Sequence, residues 1–138
     1  MHDPKGSLTA AQYEIMNVVW DAGETGISVP DIWQIIAAAR SIGRTTVLNQ
    51  VDRLEKRGWL KRLPGAGAVR FRATLSKDDA SQQLVAGFVS DYFQGSTVDL
   101  VSALLGSDAV ELTKKDVERL RKMLEQAKRR REGEEGQP

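Results

Sequence analysis

Leu8, Ile15, Val18 and Val19 recur at helical spacing, which predicts a first helix that buries one face and stops near Ala22 and Gly23. Its start is marked twice. Thr9 and Gln12 have the spacing of a capping box, and Leu8 and Tyr13 have that of a hydrophobic staple. A short β-capable stretch at 25–28 leads into Ser28, an N-cap candidate followed by Pro30 and Asp31, so a second helix is predicted over 29–40. Only Ser41, Ile42 and Gly43 separate it from a third helix over 44–57, with Gly58 where a left-handed C′ residue belongs. Val47, Val51 and Leu54 fall at i, i+4 and i+7 of that third helix. At about 100° per residue, Thr45, Thr46, Asn49, Arg53 and Lys56 are left on the opposite side, with Gln50 on its flank.

After Gly58 the period changes to two. Residues 59–63 read as a strand, Pro64-Gly65-Ala66-Gly67 as a turn, and Val69, Phe71, Ala73 and Leu75 alternate with Arg70, Arg72 and Thr74 in a second strand. The hairpin has one apolar and one basic face. Helix, short strand, helix, tight turn, helix, hairpin is the order of a winged helix-turn-helix. From Ser76 the pattern is helical again. A helix capped by Ser76 with Asp79 reaches the neighbourhood of Gln94, Gly95 breaks it, a shorter helix covers 98–105, and Thr113 with Asp116 caps the last helix. The fold class predicted is mostly α with a small β-hairpin: a winged helix-turn-helix DNA-binding domain over 1–76, a helical dimerisation domain over 77–131 and a disordered tail over 132–138.

Charge changes this picture from a fold to a candidate function. The net charge is +1, but 1–39 carry −4, 40–72 carry +7 and the remainder −2. A basic block inside a near-neutral chain is the electrostatic footprint of an element that binds a polyanion. The block holds the third helix and the hairpin. Cysteine is absent, which excludes disulfides, thiolate metal sites and cysteine nucleophiles. With one histidine, no phosphate-cradling glycine loop and no convergent carboxylate pair, neither an enzyme nor a cofactor is expected, and His2 has no second ligand-type residue nearby for a metal. No leader or membrane-spanning pattern is read in the chain, so a cytoplasmic protein without direct membrane insertion is expected.

The major groove of DNA admits a helix, and its base edges are read by side chains such as Arg, Asn, Gln and Thr. Thr45, Thr46 and Asn49 are the base-reading candidates; Arg44 and Arg53 flank them for phosphate contact, and Gln50 borders the face. Lys61, Arg62, Arg70 and Arg72 of the hairpin reach either the backbone or the neighbouring minor groove. Each has a plainer reading. A charged helix face is usually just solvated, Arg53 can pair with an acid inside the domain, and hairpin cations can be edge-strand gatekeepers. Leu48 either meets a thymine methyl or covers the core. Trp20, Trp33 and Trp59 are expected in the core. About sixty C-terminal residues have too little interior to bury Leu84, Phe88, Tyr92, Val101, Leu104, Leu105, Leu120 and Leu124 within one chain, so these are the dimerisation candidates. The Leu/Val stripe of the last helix can instead be intrachain core.

The string LTAAQYEIMNVVW from Leu8 to Trp20, with Thr45-Thr46-Val47, Arg53-Leu54 and Lys56-Arg57-Gly58-Trp59-Leu60, closely resembles the penicillinase and methicillin-resistance repressors, the BlaI/MecI/CopY family. The match is good over 8–80, and the later helices are similar in layout. The resemblance implies a homodimeric transcriptional repressor on a dyad-symmetric double-stranded DNA operator, often with TACA and TGTA half-sites. It also implies a partner, a membrane-embedded sensor protease that leads to cleavage in the dimerisation domain. The family's cleavage position, commonly Asn-Phe, falls here on Ala103-Leu104, and the C-terminal cysteines of the copper-responsive branch are missing. DNA binding rests on the residues and repression on the resemblance; a winged-helix protein-interaction module and a DNA-binding activator or architectural factor are the alternatives.

Overall fold

A computed structural model describes Pro4 and residues 6–135, the side chain of Glu135 excepted. His2 lies outside the described residues. The elements run α1 (Ala10–Ala22), β1 (Ile27–Ser28), α2 (Val29–Ala37), α3 (Arg44–Lys56), β2 (Leu60–Leu63), β3 (Arg70–Ala73), α4 (Lys77–Phe93), α5 (Thr97–Leu105) and α6 (Lys114–Glu135). This is a winged helix-turn-helix followed by helices.

The starts of the helices are set by side chains that satisfy otherwise unpaired backbone N–H groups. In α1 the box closes in both directions: Gln12 N donates to Thr9 Oγ1 and Thr9 N to Gln12 Oε1, each at 3.1 Å. Ser28 Oγ accepts from Asp31 N at 3.3 Å, Ser76 Oγ from Asp79 N at 3.1 Å and Thr113 Oγ1 from Asp116 N at 3.1 Å. The end of α3 is a Schellman turn. Gly58 N donates to Glu55 O at 3.0 Å and Trp59 N to Leu54 O at 2.9 Å, which requires the left-handed φ of +85° that Gly58 adopts.

The hairpin is joined by β1 into a three-stranded antiparallel sheet in the order β1-β3-β2. Its registers pair Ile27 with Phe71, Leu60 with Ala73, Lys61 with Arg72 and Leu63 with Arg70. Gly26 permits the close approach of β1, since a Cβ there would stand 2.5 Å from Leu63 Cδ1 and 3.0 Å from Phe71 O.

By compactness the chain divides into 1–96 and 97–138, further along than the expected boundary at 76/77. The reason is that α4 packs with the winged unit. Ala80 is fully buried in its core and Leu84 packs against that core. Trp20 Nε1 donates to Leu75 O at 2.9 Å, fastening α1 to the segment that leads into α4. The core itself takes Ile15, Met16 and Val19 from α1, Ile32 and Ile36 from α2, Val47, Val51 and Leu54 from α3, and Ile27, Trp59, Leu60 and Phe71 from the sheet and its approach.

In the second unit, α5 contains no buried residue and Val98, Leu105 and Leu124 are more than half exposed. The tail expected to be disordered over 132–138 is helical as far as Glu135, and 136–138 lie outside the described residues. Lys, Arg and Glu are good helix formers, and Lys128 with Glu132 and Arg130 with Glu134 stand at i,i+4, the spacing that supports an exposed helix.

Candidate nucleic-acid interface

The inner face of α3 is fixed by burial: Val47, Val51 and Leu54 are at most 1% exposed. A helix anchored so firmly on one side holds the opposite side in a defined direction. That side presents Thr45, Thr46, Asn49, Arg53 and Lys56, with Arg44 and Leu48 on its flank, all exposed. The two carboxylates of α3 are both matched by cations. Asp52 meets Lys56 Nζ at 3.0 Å, and Glu55 accepts from Arg62 Nε at 2.8 Å. That hydrogen bond, with the attraction of the two charges, raises the pKa of Arg62 above its ordinary value. Among the described residues no carboxylate forms an ion pair with Arg44 or Arg53.

Arg44 is held in place. Its guanidinium carbon stands 4.4 Å from the Trp33 ring centroid, a cation–π contact. Trp33 in turn donates from Nε1 to Ile42 O at 2.8 Å, so the turn between α2 and α3 fixes the ring that orients the arginine. Nothing in the local sequence pattern indicates this, because the contact depends on how the Ser41-Ile42-Gly43 turn folds α3 back against α2.

Gln50 is half-buried and accepts from Gln12 Nε2 at 3.0 Å, and Gln12 is itself 6% exposed. Arg57 Nη1 donates to Gln12 Oε1 at 3.1 Å, and Arg57 Nη2 donates to Ser7 O. Gln50 is therefore part of a polar link from α3 to α1 and the segment before it, at the margin of the outer face. The spacing that places Gln50 on the flank of α3 gives no sign of Gln12 as its partner.

The sheet sorts the four hairpin cations. Cross-strand partners share a face, so Lys61, Arg70 and Arg72 lie on one side while Arg62 shares the side of Phe71, with its guanidinium 5.5 Å from that ring. Lys61 and Arg70 are exposed. Arg72 is half-buried; it lines a cleft of about 360 Å³ with Trp20, Gly23 and Glu24, and its Nε is buried with no hydrogen-bond partner. The turn at 64–69 between the strands is exposed throughout.

Of the dimerisation candidates, Leu84 is half-buried against the winged core, while Phe88 and Tyr92 further along α4 are 48% and 69% exposed, their rings 4.9 Å apart. Val101, Leu104 and Leu105 of α5 and Leu120 and Leu124 of α6 are exposed. Ala103 and Leu104 sit inside α5 rather than in a loop. Among the described residues no cluster of His, Cys, Asp and Glu has the makings of a metal site, and no helix is long and apolar enough to cross a membrane.

Residues 8–126 match the family described as penicillinase repressor. No curated protein matches the chain. Among solved structures, the oxidized form of MarR from E. coli is 21% identical, with a TM-score of 0.46 over 87% of this chain and 75% of that one. A cysteine-to-serine mutant of MarR from E. coli, complexed with operator DNA, is 20% identical with a TM-score of 0.47 over the same shares. Wild-type MarR in its apo form is 20% identical, also at 0.47, over 87% and 77%.

Proposed function

The chain belongs to the penicillinase repressor family, and we propose that it is a homodimeric repressor that binds a dyad-symmetric operator with α3 in the major groove. That it is a DNA-binding transcriptional regulator follows from the family; the dimer, the operator geometry and the residue roles are our reading. The observation that carries it is the outer face of α3. Thr45, Thr46 and Asn49 supply hydrogen-bonding groups at its centre, Arg44 and Arg53 supply positive charge beside them, and both acids of the helix are already paired. Thr45, Thr46 and Asn49 read base edges, Arg44 and Arg53 hold phosphates, and Lys61 and Arg70 of the wing meet the backbone alongside.

Dimerisation is supported by the apolar side chains that one chain leaves uncovered. Val101, Leu104 and Leu105 on α5, Leu120 and Leu124 on α6, and Phe88 and Tyr92 on α4 are too many exposed large apolar groups for a lone soluble domain. A second copy covers them and brings a second α3 to the other half-site.

The test is fluorescence anisotropy with the full chain, a duplex from the promoter of its own gene and a shuffled duplex of equal length. The expected result is tighter binding to the promoter duplex and a log affinity that falls steeply with log salt. Equal affinity for both duplexes at every salt concentration overturns the reading.

A further inference from the structure

One side chain bordering the outer face of α3 does not suit a helix that only holds phosphates. Leu48 is 52% exposed, although Val47, Val51 and Leu54 already close the core beneath it. It borders an apolar notch of about 280 Å³ whose other walls are Val29, Pro30, Trp33, Arg44 and Thr45. The walls are fixed. Pro30 lies in the first turn of α2, Trp33 is tied to Ile42 O at 2.8 Å, and Arg44 is stacked on the Trp33 ring. The notch is thus bordered by Thr45, a proposed base reader, and by Arg44, a proposed phosphate ligand.

An apolar notch with one cation of the +7 block, Arg44, in its wall suits a partner that is polyanionic outside and apolar at one point. The major groove has such a point: the 5-methyl group of thymine is its apolar feature, and apolar side chains read it by contact. Cytosine offers an amino group in its pattern instead, and that donor would lose its hydrogen bonds against Leu48 and Trp33. We propose that this notch takes a thymine methyl in each half-site, with Leu48 as the specificity-determining side chain and Trp33 as its rigid wall. The proposal rests on the reading of α3 given above and adds a base identity to it.

The test uses the full chain and a duplex it selects from a random-sequence pool. Each thymine is replaced in turn by deoxyuridine, which removes the methyl and leaves pairing intact. One position per half-site should weaken binding about four-fold, the size expected for losing one buried methyl group. The same replacement should have no effect on Leu48→Ala, whose helix keeps its buried face. Wild-type affinity unchanged at every thymine overturns the proposal, as does a Leu48→Ala protein that is equally sensitive to the loss. Both results leave α3 as a DNA reader. Failure to select any sequence overturns that reading and this one with it.

Discussion

The winged unit and the C-terminal helices use their apolar residues in opposite ways. Every fully buried large side chain among the described residues belongs to 1–96, from Ile15 to Leu60, whereas α5 and α6 expose nearly all of theirs. The sequence distinguishes the two only indirectly, since both are amphipathic. What separates them is geometry. Three helices crossing over a small sheet enclose Trp59, Leu54 and Met16 on all sides, while two consecutive helices have no third layer to close over Leu104 and Leu120. The first region encloses a core of its own, while the second leaves its apolar side chains uncovered, which on the reading proposed above a second copy covers.

That contrast breaks most visibly in the core. Trp59→Ala should destabilise the winged unit by about 3–5 kcal/mol, read from urea unfolding, because a fully buried aromatic side chain leaves a cavity. Leu124→Ala in the full chain, at a 70% exposed site, should leave the urea unfolding of the winged unit unchanged and weaken only the association of the chain with itself. Leu120→Asp with Leu124→Asp should give monomers by sedimentation velocity and weaken operator binding on the order of 100-fold through lost bivalency, with the circular dichroism of the winged unit retained. Dimers at unchanged affinity would assign those leucines another role.

The elements set by neighbours in the chain were legible in the sequence. The caps at Thr9, Ser28, Ser76 and Thr113, the glycine stop at Gly58 and the inner face of α3 follow from spacings of three or four residues. The parts that were not legible depend on partners far along the chain. Gln50 meets Gln12 across 38 residues, and Trp33 reaches Arg44 only through the folded turn. Arg62 shares the face of Leu60 by simple alternation, but its pairing with Glu55 depends on how the hairpin folds back against α3, which the strand pattern does not show. The two-residue β1 has too little sequence to announce which strand it joins.

Within the winged unit the comparison sharpens to helix against wing. Asn49→Ala should relax sequence preference, losing about 1–3 kcal/mol of discrimination at the base pair it reads. Arg70→Ala should weaken binding to all duplexes alike and reduce the slope of log affinity against log salt by about one. Equal losses on selected and random duplexes from both changes would contradict the division of labour between them.

The smallest effect concerns the exposed pair between Glu14 of α1 and Arg40, in the connection from α2 to α3. Arg40 Nη2 stands 2.7 Å from Glu14 Oε1, and this hydrogen bond holds the Glu14 carboxyl below its ordinary pKa against the opposing effect of desolvation, with a lesser contribution from the attraction of the two charges. A depressed carboxylate contributes stability above its unfolded-state pKa and loses it as the pH falls through the folded-state value. Glu14→Gln should therefore lower the melting temperature slightly at neutral pH, and the difference from wild type should vanish in acid, below the usual glutamate range. A difference that persists there would point to packing in place of charge.

In the proposed repressor, one face of the winged unit meets DNA and the uncovered faces of the C-terminal helices meet a second copy. Hydroxyl-radical footprinting of the full chain on its selected duplex tests both at once. Two protected patches related by a dyad, with centres about 10–10.5 base pairs or a multiple of that apart, are the predicted result. A single patch without symmetry would contradict it.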